Sequence, residues 1–128
     1  MLVAGLALAG VAALVHVYIF VLESLRWQAP RTRATFGTTP EEARATKALA
    51  YNQGFYNLFL AVGTVVGIVL VAAGQRGAGA TLVLACAGSM ALAAVVLVTS
   101  SRDRLRSALV QGLAPLLGVV LVIVALLR

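Results

Sequence analysis

The sequence predicts an all-α integral membrane protein, four transmembrane helices in an up-down-up-down bundle. Three observations predict it. Hydrophobic residues make up 62% of the 128 positions and charged residues 11%, where soluble domains run near about 45–50% and 25%. Long apolar stretches divide the chain into four, and the cations gather between them. A water-soluble fold of this length has too little interior to hide that much apolar surface, whereas a bilayer takes it up. The composition excludes a soluble enzyme, a nucleic-acid module and a disordered tail. One domain is expected over residues 1–128, with spans at about 2–22, 48–73, 78–100 and 107–127.

Each element has its own signal. Leu2 to Leu22 is an apolar run long enough to cross a hydrocarbon core of about 30 Å. It has no basic leading segment and no small-residue cleavage site before a polar chain, so it reads as a span and not as a cleaved leader. Glu23 to Thr38 is a basic loop carrying Arg26, Trp27, Pro30, Arg31 and Arg33. Thr39-Pro40-Glu41-Glu42 is a helix start, with a Thr cap, Pro at the first helical position and acids in the first turn. No breaker follows until Gly74, so one helix is expected over Pro40 to Ala73, entering the membrane near Ala48 and presenting Asn52, Gln53 and Tyr56 inward. Gly77 to Ser100 gives the third span and Ser101 to Arg106 a short charged loop. Ser107 to Leu127 gives the fourth span, where a bilayer helix tolerates Pro115. The Gly63/Gly67 and Ala85/Ser89/Ala93 spacings read as seams where small residues let helices pack closely, in a left-handed bundle.

The formal net charge is +6. In a soluble chain that balance suggests nucleic acid, but here the positives sit in short loops, where Lys and Arg fix orientation. Arg26, Arg31, Arg33, Arg44, Lys47, Arg102, Arg104 and Arg106 fall on one side, and only Arg76 and Arg128 on the other. This predicts a multi-pass protein of the cell inner (plasma) membrane, with loops 23–47 and 101–106 cytoplasmic and both termini outside. Lys47 is the sole lysine; with the Ala, Val and Gly richness, the arginine skew points to a GC-rich bacterial genome. Cys86, the single cysteine, lies in an apolar run and reads as a small hydrophobe. One histidine without spaced acids cannot close a metal site, so none is expected.

The polar residues inside the spans are unevenly distributed. At 1.5 Å per residue, His16 lies roughly 6 Å to the cytoplasmic side of its helix midpoint, and Glu23 about 16 Å out, at the boundary. His16, Phe20, Glu23 and Trp27 follow i, i+4, i+7, i+11 spacing, one face of a regular helix. Asn52, Gln53, Tyr56 and Asn57 fall within about 140° of one another at 100° per residue. Gln111 lies about 10 Å to the same side of its own span. The outer half offers only Thr64, Thr81 and Cys86. Two readings follow. These side chains bond neighbouring helices as glue, or they line a wet cavity facing the cytoplasm. In the second, His16, Asn52, Tyr56 and Asn57 form the floor, with His16 and Tyr56 as candidate acid/base groups. Gln53 and Gln111 join the lining. Glu23, Arg26, Lys47, Arg104 and Arg106 form a rim able to hold an anionic or thiolate co-substrate by opposite charge.

The pattern HVYIFVLESLRW, then FG, then NQGFYNLFLA, over His16 to Ala61, resembles domain-of-unknown-function family 1304, small bacterial four-helix membrane proteins of this length. The resemblance covers essentially the whole chain and implies the four-span fold without an activity. A more distant resemblance runs to the MAPEG proteins of eicosanoid and glutathione metabolism. KALAYNQGFYNLFLA, over Lys47 to Ala61, is similar to their second helix. That resemblance would set Lys47 on the family's thiol-binding basic residue and Asn52 one position from its Asn, while the family's acid falls at Gly54. It implies a trimer and a low-molecular-weight thiol as co-substrate; a dimer stays open.

Three functional classes are in view. The first is a membrane-embedded enzyme or binding protein, homo-oligomeric, with a cytoplasm-facing polar pocket for a lipophilic small molecule. The second is a small proton-coupled multidrug-type exporter, which the four short helices and first-helix acid resemble. An exporter, however, carries its acid near the midplane and opens to both sides. The third is a structural or accessory subunit with no pocket.

Overall fold

The computed structural model describes residues 1–128, and all of its regular structure is helical. α1 (Leu2–Phe20) runs on into a π-helical turn, Val21–Leu25. Two short helices follow, α2 (Pro30–Phe36) and α3 (Pro40–Ala45). α4 (Lys47–Ala72), α5 (Arg76–Ser100) and α6 (Leu105–Leu126) complete the chain, with a 3₁₀ turn at Arg102–Arg104 before α6. Four segments are long and apolar enough to cross a membrane: Leu2–Leu25, Lys47–Ala72, Arg76–Ser100 and Arg102–Leu126. The expected four-helix architecture stands.

The long helices form a ring. α1 packs against α4 and α6, α5 packs against the same two, and α1 meets α5 along a diagonal. Small residues fill the centre, including Ala9, Ala12, Ala13, Ala61, Ala80 and Ala87, around the larger Val83, Met90 and Val122. Such residues bring backbones close, and dispersion across that contact replaces the hydrophobic drive that lipid removes. At Gly5 a Cβ would lie 2.9 Å from Val122 Cγ2 and 3.1 Å from the Gly118 carbonyl oxygen, so α1 and α6 touch nearly backbone to backbone. At Gly67 it would lie 2.8 Å from the Gly79 carbonyl oxygen, which makes the same contact between α4 and α5. Only 24 of 128 residues are buried. With Val3, Leu14, Leu92 and Val96 all exposed, the apolar exterior needs lipid as its solvent.

Local chemistry sets the ends. Thr39 caps α3 as the sequence predicts: its hydroxyl accepts from Glu42 N–H at 3.2 Å, and the Glu42 carboxylate accepts from Thr39 N–H at 2.8 Å. Gly74, two residues past the end of α4, has a φ of 88° that lets Gln75 N–H donate back to the Leu70 carbonyl at 2.9 Å.

Three expectations change. The helix expected without interruption from Pro40 breaks at Thr46 (φ −100°, ψ 5°), so α3 and α4 are separate. The Thr46 hydroxyl donates to the Glu42 carbonyl at 2.7 Å, a back-bond that bends a helix. Second, residues 30–36, expected in a loop, form α2, because Pro30 at the first position is pre-set for helix. Third, the two small-residue seams differ. Gly63 and Gly67 do face α5, but Ala85, Ser89 and Ala93 point outward, with Ser89 Oγ donating to its own helix at Ala85 O, 2.7 Å.

A cavity at the arginine-rich end

The π-helical turn organises this end of the bundle. Its i→i+5 bonding admits an extra residue, so side chains beyond Phe20 leave the face that a regular helix would give them. Glu23 and Ser24 thereby meet α4. Ser24 Oγ donates to the Tyr51 carbonyl at 2.8 Å. Asn57 Nδ2 donates to Glu23 Oε2 at 2.8 Å and to the Gln53 carbonyl at 3.2 Å. Gly54 makes the approach feasible: a Cβ there would collide with Ser24 Oγ and come within 3.1 Å of Glu23 Cβ. One residue further round the corner, Trp27 Nε1 donates to Thr46 Oγ1 at 3.1 Å, and its ring packs against Phe36 with centroids 5.0 Å apart.

These contacts frame an open cavity of about 650 Å³, within the usual size for a small-molecule site. Glu23, Trp27 and Thr38 line it from the first connection, and Asn52, Gln53 and Tyr56 from α4. Glu42 and Arg104 add an acid and a cation to the lining. Tyr56 is 65% exposed and Leu49 71%, so the mouth opens sideways, toward where lipid would lie. Asn52, Gln53 and Tyr56 are unpaired within the chain, unlike Asn57 and Ser24. Thr38 Oγ1 is buried with no hydrogen-bond partner. A second, smaller cleft of about 200 Å³ shares Glu23 and Trp27 as its wall and adds Arg26 and Lys47.

The sequence-predicted residues divide accordingly. Glu23, Asn52, Gln53, Tyr56 and Arg104 come together at the cavity, and Arg26 and Lys47 at the cleft beside it. Asn52, Gln53 and Tyr56 face outward into this open groove and not inward as expected, because the bundle centre is filled by alanines and glycines that leave no room for them. Asn57 is buried and spends its amide on Glu23, so it supports the floor from behind. His16 stands apart: it is 1% exposed, its Nδ1 pairs with the Ala12 carbonyl of its own helix at 2.9 Å, and it does not line the cavity. Gln111, half-buried on α6, and Arg106, exposed, lie outside it as well. Thr38 and Thr46 line the cavity without having been anticipated. Their only sequence signal was their nearness to the helix start at Thr39.

A family model described as "Protein of unknown function (DUF1304)" matches residues 10–123. No curated protein and no solved structure matches the chain.

Proposed function

The chain belongs to the DUF1304 family, whose description names no activity, so the reading rests on the site, and we propose that this membrane protein binds the polar end of a membrane-borne amphiphile in the cavity beside α4. One observation carries the proposal. Asn52, Gln53 and Tyr56 stand together on a helix that crosses the membrane, have no partner in the chain, and line a space of ligand size. Intramembrane polar groups are costly when unpaired. Helix-to-helix bonding accounts for Asn57 but not for these three.

The ligand's apolar part would leave past Leu49 and Tyr56 into the bilayer. Arg26 and Lys47, over the adjoining cleft, supply positive charge for an anionic or thiolate co-substrate. The arginine-rich end is assigned to the cytoplasm of an inner membrane by its charge. With His16 tied to its own helix, Tyr56, Glu23 and Glu42 are the groups in the lining able to move a proton to a bound molecule.

The test uses the full chain in lipid nanodiscs carrying a photoreactive phospholipid. Crosslinks are expected to concentrate on the peptide containing Leu49 to Tyr56 and to fall several-fold in Asn52→Ala and Tyr56→Phe proteins of unchanged thermal stability. Labelling no greater than at Leu92 and Val96, which face outward on α5, would sink the reading.

A further inference from the structure

We propose that the cavity selects amphiphiles whose headgroup joins a primary ammonium to a phosphate, the ammonium held at Glu23 and the phosphate at Arg104. The inference deepens the reading above and rests on it.

Its basis is the charge pattern. Glu23 and Arg104 line the same cavity, yet the one ion pair of the chain is Arg44–Glu41, elsewhere on α3. Opposite charges in one partly enclosed space, left apart, leave room for a group that satisfies both. A purely anionic headgroup would meet the carboxylates of Glu23 and Glu42. A purely cationic one would meet the guanidinium of Arg104. A zwitterion avoids both costs, because each end finds its opposite.

The details at each end agree. Asn57 occupies Oε2 of Glu23, which leaves Oε1 to accept from an ammonium N–H. Trp27 and Tyr56 line the same space and offer ring faces that attract a cation. A primary ammonium carries three donors, and the carbonyl oxygens of Asn52 and Gln53 are further acceptors within the lining. At the other end, guanidinium matches phosphate in a two-bond fork. A quaternary ammonium keeps the ring attraction but has no N–H to give, so the chemistry prefers the primary amine. A phospholipid headgroup or a free phosphorylated amino-alcohol could supply this group; the sideways mouth beside Leu49 and Tyr56 suits the lipid.

The experiment measures protection of the photo-crosslink in nanodiscs by phosphatidylethanolamine, phosphatidylcholine and phosphatidylglycerol. A separate arm adds soluble O-phosphoethanolamine. Phosphatidylethanolamine is expected to protect about tenfold better than phosphatidylglycerol, the difference made by one charge-assisted hydrogen bond. Phosphatidylcholine should fall between. Glu23→Gln keeps an oxygen for Asn57 and should abolish the preference for amine over glycerol headgroups. Arg104→Gln should weaken all three phospholipids. Equal protection by every lipid, with the cavity still labelled, would overturn this inference alone. Loss of cavity labelling altogether would overturn the reading beneath it. Protection by O-phosphoethanolamine at the potency of the lipid would keep the headgroup chemistry and reassign its source to a soluble molecule.

Discussion

At the scale of single residues, the bond from Asn57 to Glu23 joins a buried amide to a half-buried carboxylate across two helices. Asn57→Ala removes a hydrogen bond to that carboxylate, a loss of about 1.5–3 kcal/mol for a bond to a charged group. Asn52→Ala removes a side chain with no partner and should leave thermal stability nearly unchanged while lowering crosslinking at the cavity. Thermal unfolding in detergent, run on both proteins, separates support from lining; equal destabilisation would merge the two roles. The residue types at this site were readable from the sequence, because Asn, Gln and Tyr crowded on one arc of a span have few reasons to be there. Their direction was not. An arc of helix says which residues look the same way, but only the neighbours say whether that way is the core or the outside. His16 illustrates the limit. Its depth, computed along a straight helix, matched the polar arc, but its spacing to Glu23 assumed regular turns through a segment that is π-helical.

Helix-scale behaviour turns on two joints. At the first, the π-helical turn seats on Gly54. Gly54→Ala forces Ser24 to release the Tyr51 carbonyl and presses on the Ser24 backbone nitrogen, 3.0 Å from the new Cβ. The expected cost is about 1–3 kcal/mol, with Glu23 displaced and cavity crosslinking lost. Gly88→Ala, where nothing lies within 4 Å, should be neutral or stabilising by up to about 1 kcal/mol. Similar unfolding temperatures for the two variants would contradict the seating. The second joint is the cap of α3. Hydrogen bonds from the Thr39 backbone N–H, and then from its side chain, hold the Glu42 carboxyl below the usual carboxylate range. A folded-state value below the unfolded one means that this contribution is complete above the ordinary carboxylate range. It disappears as pH falls through the lowered value. Amide protection in α3, taken relative to the intrinsic exchange rate at each pH, should therefore fall at acid pH, and Glu42→Gln should flatten that dependence. The cap itself was legible, since Thr-Pro-Glu-Glu carries its structure locally. The break at Thr46 was not, because a threonine bends a helix only when its hydroxyl turns back onto the chain, and here the indole of Trp27 takes the same oxygen.

For the molecule as a whole, the four-span architecture was the most legible feature, because lipid asks for length and apolarity and both are written in composition. Ring order and the close contacts at Gly5 and Gly67 needed the fold, since a glycine in an apolar run does not name the helix it faces. The cation-rich loops argue for a cytoplasmic cavity end, and thiol labelling tests that proposal. In a Cys86→Ala background, an impermeant thiol reagent applied to intact cells should label Gly77→Cys and spare Thr35→Cys, both exposed positions at opposite ends of the bundle. The reverse pattern would invert the orientation and move the cavity to the outer face.

Trp27 is the sole tryptophan of the chain, and it stands in the wall shared by the large cavity and the small cleft. The protein thus has a built-in optical reporter at the place of interest. Indole emission depends on the water around the ring, so an arriving headgroup that displaces solvent should shift the spectrum to shorter wavelength without any label. Occupancy of either space could then be titrated by light alone.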